Sequence, residues 1–169
     1  MDGKLYSENM ILMPALIPLL LAVGAIALLI FSVYEMSAAD DFSIGSVGGI
    51  VMISSVAMMF VLAIVLYIIR LKINVKYDSL NVGMFKGRTT PMEDIHSVAV
   101  EDFSPMKDYM GWGLRVGRKG FGYIAAGTNK GLRINLKTGK SYFISSKRAY
   151  EFESAMNTAL KAKRNAERP

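Results

Sequence analysis

IVMISSVAMMFVLAIVLYII, residues 50–69, runs for twenty positions without a charge and ends abruptly in Arg70-Leu71-Lys72. As a helix rising about 1.5 Å per residue it reaches about 30 Å, the thickness of a bilayer's hydrocarbon core. A second apolar run, MILMPALIPLLLAVGAIALLIFSV at residues 10–33, precedes it. Pro14 and Pro18 sit in the first two turns of that run, where missing backbone donors cost least. The chain therefore reads as a polar lead (1–9), a first span (10–33), a connector (34–49), a second span (50–69) and a polar domain (70–163) with a short tail (164–169).

Charge is divided unevenly between these parts. Residues 1–69 hold one Lys against five acids, −4, whereas residues 70–169 hold nineteen Lys and Arg against nine acids, +10. A basic domain tethered to a bilayer is drawn to anionic head groups. Nucleic acid is not expected as a partner of a tethered domain, while a membrane or cytoplasmic protein is. Arg70, Lys72 and Lys76 crowd the end of the second span, and the 34–49 connector has no Lys or Arg. Positive charge resists translocation, so both termini are expected in the cytoplasm and the connector outside, as in a multi-pass cell-membrane protein. Ser37-Ala38-Ala39 has the small residues of a signal-peptide cleavage site. The preceding apolar run, however, is longer than the roughly 7–15 residues of such peptides. Neither span contains Asp, Glu, Lys, Arg or His, which argues against a pump or channel acting alone. The chain has no cysteine, which removes disulfides and thiolate chemistry.

After residue 70 the hydrophobic period changes. Residues 71–77 alternate apolar and polar at every step, the pattern of a half-buried strand. Asp78-Ser79 turns the chain, and Leu80, Val82 and Met84 resume the alternation. Residues 95–100, 114–116 and 123–126 read as further strands. Residues 132–136 and 141–144 form a hairpin about Thr138-Gly139, with Leu132, Ile134 and Leu136 on one face. The last element is a helix capped by Ser145 or Ser146, with Ala149, Phe152, Met156, Ala159 and Leu160 on one stripe. Residues 71–169 are expected to fold without the membrane.

Four passages carry a resemblance: LKINVKYDSLNV, PMEDIHSVAV, YMGWGLR and GLRINLKTGKSYFISSKRAYEFESAM. Over residues 71–163 the chain resembles the prokaryotic pleckstrin-homology-like family, whose members often hang from two transmembrane helices. The resemblance implies a mainly-β, partly open barrel of about seven strands capped by the C-terminal helix. It also implies a binding or assembly module without a cofactor, not an enzyme. An accessory subunit of a larger membrane complex, recognised through its spans, is the alternative.

Candidate contact residues fall in two groups. Lys76, Lys86 and Arg88, with Lys72 nearby, resemble the basic signature by which eukaryotic pleckstrin-homology domains hold phosphoinositides. The nine residues between Lys76 and Lys86 contain a turn and a strand, so these cations are not expected to converge and a diffuse basic surface is expected instead. The second group lies in the 103–113 loop and just beyond: Lys107, Tyr109, Trp112 and Arg115, with Phe103, Met106 and Met110. Either this apolar mass meets the membrane interface or a partner groove, or it folds inward to close the barrel mouth. Gly139-Lys140-Ser141 is not a P-loop, because Ile134 stands where the motif needs glycine. His96, the one histidine, has no second His or Cys to share a metal.

Overall fold

The computed structural model describes residues 3–38, 47–84 and 87–166. The chain divides into two compact units: one is Pro14–Ile68, and the other is formed by the chain on either side of it.

The first unit is a pair of helices, α1 (Leu16–Ala38) and α2 (Val47–Ile68). Pro18, Ala25 and Ser32 are buried on α1, and Gly49, Val56 and Ala63 on α2. Each set repeats every seven residues, the spacing of a left-handed seam, and small side chains there let the backbones approach. Ser32 donates to Leu28 O at 2.6 Å, and Ser54 and Ser55 each donate to Val51 O at 2.8 Å, so these hydroxyls are satisfied within their own helices. The windows Leu16–Tyr34 and Gly48–Ile68 are long and apolar enough to cross a membrane, and only 17% of each is buried. That low burial is unlike the core helix of a soluble protein. The expected 34–49 connector overlaps residues 39–46, which lie outside the described residues.

The second unit is mainly β. Its first sheet has the order β1-β2-β3-β4, from β1 (Lys4–Ile11), β2 (Arg70–Lys76), β3 (Ser79–Gly83) and β4 (Arg88–Pro91), all antiparallel. The second sheet has the order β5-β8-β9-β7-β6. Its strands are β5 (Ile95–Asp102), β6 (Gly113–Gly117), β7 (Gly120–Ile124), β8 (Lys130–Leu136) and β9 (Ser141–Ser145). Only β7 and β9 run parallel. A short helix α3 (Pro105–Tyr109) lies between β5 and β6, and α4 (Ala149–Ala166) ends the fold. The two sheets do not close on each other.

Strand β1 departs from the sequence reading. The expected polar lead and the first residues of the expected span are instead a strand paired with β2, in the register Glu8↔Ile73 and Met10↔Leu71. Tyr6, Met10 and Leu12 enter the main core with Leu71, Ile73 and Val75, so helix α1 begins only at Leu16. The helical pair is thus an insertion between the first two strands of one sheet. Leu12 N–H donates to Ile69 O at 3.4 Å where the chain leaves and re-enters it. The sheet domain is not residues 70–163 alone. In α4, by contrast, the buried residues are the five of the expected stripe: Ala149, Phe152, Met156, Ala159 and Leu160.

Candidate functional site

The alternation of the first sheet sorts its polar residues by face. Tyr6, Glu8 and Met10 point inward with Ile73, Val75, Leu80 and Val82. The other face carries Lys4, Ser7, Asn9, Lys72, Asn74, Lys76, Asn81 and Thr89, a surface with three lysines and no carboxylate among the described residues. Cross-strand side-chain bonds order it: Ser7 Oγ donates to Asn74 Oδ1 at 3.0 Å, and Asn81 Nδ2 donates to Thr89 Oγ1 at 2.8 Å. Lys4, Asn74, Lys76, Ser79, Asn81 and Thr89 line a shallow depression of about 490 Å³ there.

Arg88 does not belong to this surface. Its register partner is inward-facing Val82, and its guanidinium lies 5.2 Å from the Tyr142 ring centroid. Lys76 and Arg88 therefore project from opposite faces of the sheet. Lys86 lies outside the described residues.

On the inward face, Glu8 ties the first strand to the last helix. Tyr6 OH and Ser146 Oγ each donate to Glu8 Oε2 at 2.6 Å, and Lys147 N–H donates to Oε1 at 3.0 Å. Ser146 Oγ also accepts from Arg148 N–H at 3.0 Å in the turn before α4, whose first amide bond runs from Phe152 N–H to Arg148 O, so neither expected serine directly precedes the helix. Ser145 Oγ instead accepts from Ala125 N–H at 2.7 Å. A carboxylate at a helix N-terminus meets unpaired amides and the positive end of the dipole. Burial, with Glu8 second, pushes the Tyr6 hydroxyl well above its ordinary pKa, so it stays a donor. Replacing Glu8 with Ala leaves buried donors without their acceptor, and a loss of about 2–3 kcal/mol is expected in denaturant unfolding. Glu8→Gln, which keeps one carbonyl acceptor, should lose less.

The 103–113 segment splits its side chains between core and solvent. Ser104 caps α3, and Ser104 N–H donates to Asp108 Oδ2 at 2.8 Å, which holds that carboxyl below its ordinary pKa. Met110 at φ 58 and Gly111 at φ 128 end the helix. Tyr109, a candidate contact that could also have folded inward, takes the inward course: it is fully buried against Phe103 and Phe143, with ring centroids at 5.9 and 5.5 Å. A Cβ on Gly122 would meet its ring at 2.8 Å, so that glycine makes the room Tyr109 fills. Trp112 packs half-buried on the same cluster. Arg133 stacks on Phe143 at 5.3 Å, pairs with Glu101 at 2.9 Å and donates to Tyr109 OH at 3.4 Å. Burial opposes that cation, but Glu101 and Tyr109 outweigh it and raise its pKa. Lys107 and Arg115 remain exposed, as do Met106 at 61% and Met110 at 79%. Arg115 donates from Nε to Trp112 O at 2.8 Å.

The seven described residues of the eight candidates do not gather in one site. Among the described residues no three His, Cys, Asp or Glu side chains group as metal ligands. His96 is exposed on β5. No protein-family model, no curated protein and no solved structure matches the chain.

Proposed function

We propose that the chain is a membrane-anchored binding module: the α1–α2 pair spans the cytoplasmic membrane and the sheet domain presents a basic surface to anionic lipid head groups. The observation that carries this reading is the outward face of the first sheet, with Lys4, Lys72 and Lys76 and no acid among the described residues. Lys72 follows Ile69 by three residues, which reach at most about 10 Å. The apolar, largely uncovered surfaces of α1 and α2 support insertion in lipid, because exposed faces of this size do not persist in water. Pairing of β1 with β2 supports an even number of crossings, with residues 3–13 and 69–166 on one side. Two sheets with a C-terminal helix support the mainly-β part of the pleckstrin-homology-like resemblance, with nine strands among the described residues in place of about seven. The accessory-subunit reading draws on an apolar groove of about 590 Å³ in the helical unit, lined by Ala15, Ala22, Phe60, Ala63 and Tyr67 among others.

The test is vesicle binding by the sheet domain with residues 14–68 replaced by a short glycine-containing turn. Each lysine near an anionic surface contributes about 1 kcal/mol, decaying within a Debye length. Binding to phosphatidylserine vesicles should weaken steeply with salt. It should fall roughly fivefold or more for each of Lys4, Lys72 and Lys76 changed to Glu. Equal binding to neutral vesicles, or indifference to those three changes, would contradict the reading.

A further inference from the structure

The two sheets leave an open seam between them. Strand β4 ends one sheet and β6 ends the other, and each pairs on one side only. Between them lies a cleft of about 460 Å³ lined by Val82, Gly83, Met84, Arg88, Leu114 and Tyr123, with Gly87 at its edge. Its floor is fixed. Tyr123 and Tyr142 are buried with ring centroids 6.3 Å apart, and the Tyr142 hydroxyl is 2.9 Å from Thr90 Oγ1 on β4. Leu114 and Val116, alternate residues of β6, stand 48% and 77% exposed. Arg88 lies with its guanidinium over the Tyr142 ring and has no carboxylate partner among the described residues. Arg115 is exposed between Leu114 and Val116.

We infer that this seam takes an extended segment of a partner protein in which acidic and apolar residues alternate, added as a strand along the free edge of β6. Its backbone pairs with the β6 edge, its apolar side chains enter the cleft beside Leu114, and its carboxylates, on the opposite face of the added strand, meet Arg115. A second copy of this chain fits worse, because two β6 edges paired antiparallel about their centres place Arg115 opposite Arg115. A lipid surface offers anions and apolar chains but no backbone groups to pair with a strand edge. The inference goes beyond the lipid-binding reading and does not depend on it, since the lysine face and the seam are different surfaces of the domain.

The experiment uses the full chain in nanodiscs of neutral phosphatidylcholine. The probe is a fluorescent peptide of about eight residues alternating Glu and Val, read by anisotropy. Saturable binding is expected, with a loss of about tenfold or more on Arg115→Glu or Leu114→Lys. N-methylation of alternate peptide amides should weaken it by a similar factor, because only strand pairing needs those donors. A spin label at Val116→Cys should become immobilised when the peptide binds. No saturable binding, equal binding of the N-methylated peptide, or indifference to both Arg115→Glu and Leu114→Lys overturns the inference. So does a Val116 label that, without peptide, enters lipid in phosphatidylserine nanodiscs, which would make the seam a lipid contact.

Discussion

Removing residues 3–13 should abolish cooperative folding of the sheet domain, even when every residue from 69 to 166 is retained. The strand they contain supplies Tyr6, Met10 and Leu12 to the main core and Glu8 to the N-terminus of α4. Its absence exposes the edge of β2 and uncovers Leu71, Ile73 and Val75, which are fully buried beside it. Burying one large apolar side chain contributes about 1.5–3 kcal/mol, and three are lost together with the cap. A small domain has about 5–15 kcal/mol in total. The same domain with residues 3–13 joined to residue 69 by a short turn should show a single sigmoidal urea transition, and the truncated one a flat, unfolded baseline. The expectation that residues 71–169 fold alone is revised accordingly.

Phe152→Ala should be the most damaging single substitution in α4, costing about 3–5 kcal/mol. Phe152 is fully buried and stacks on Tyr6, with ring centroids 5.1 Å apart and planes within 10°. Truncation leaves a cavity between the helix and the first strand, and the Tyr6 ring loses its partner while its hydroxyl remains bound to Glu8. The urea midpoint of the turn-joined domain should fall with little change in slope. A midpoint within error of the parent would show that α4 does not seal the core.

The elements legible in the sequence were those whose signal is local. The α4 stripe repeats every three to four residues within a single segment, so periodicity alone identified all five of its buried positions. Strands β2 and β8 alternate apolar with polar residues, and short turns join β2 to β3 and β8 to β9. Strand β1 was hidden for two physical reasons. Its partner β2 lies beyond the whole helical pair, and its inward set includes Glu8, an acid at a position that alternation reserves for apolar residues. Met10 and Leu12 were also absorbed by the apolar run that follows them. Strand β4, Arg88–Pro91, is too short and polar to show a period, and Thr90 is its one buried residue.

The contact residues were legible in kind more than in place. Excess positive charge in the polar domain was plain, yet of the first group's described residues Lys72 and Lys76 share a face and Arg88 does not. Nothing local told Tyr109 from Met110: one is fully buried and the other 79% exposed, because the αL residue that ends α3 turns the chain between them. Lys4 was missed as part of the basic face because its strand was missed. The seam between β4 and β6 depends on strand order, including the parallel β7–β9 pair, which residue spacing does not encode.

The central claim is that a helical pair inserted between β1 and β2 crosses the membrane twice, leaving the residues before and after it on the cytoplasmic side. The chain has no cysteine, so single cysteines at Ser7, Ser43 and Ser141 can be probed one at a time. Ser7 lies exposed on β1 and Ser141 exposed on β9, while Ser43 falls in the connector. An impermeant thiol reagent applied to intact cells expressing the chain should label Ser43→Cys alone, with Ser7→Cys and Ser141→Cys reacting only after the membrane is opened. Labelling of Ser7→Cys in intact cells while Ser141→Cys stays protected would put β1 and β2 on opposite sides, contradicting both the strand pairing and the anchored domain built on it.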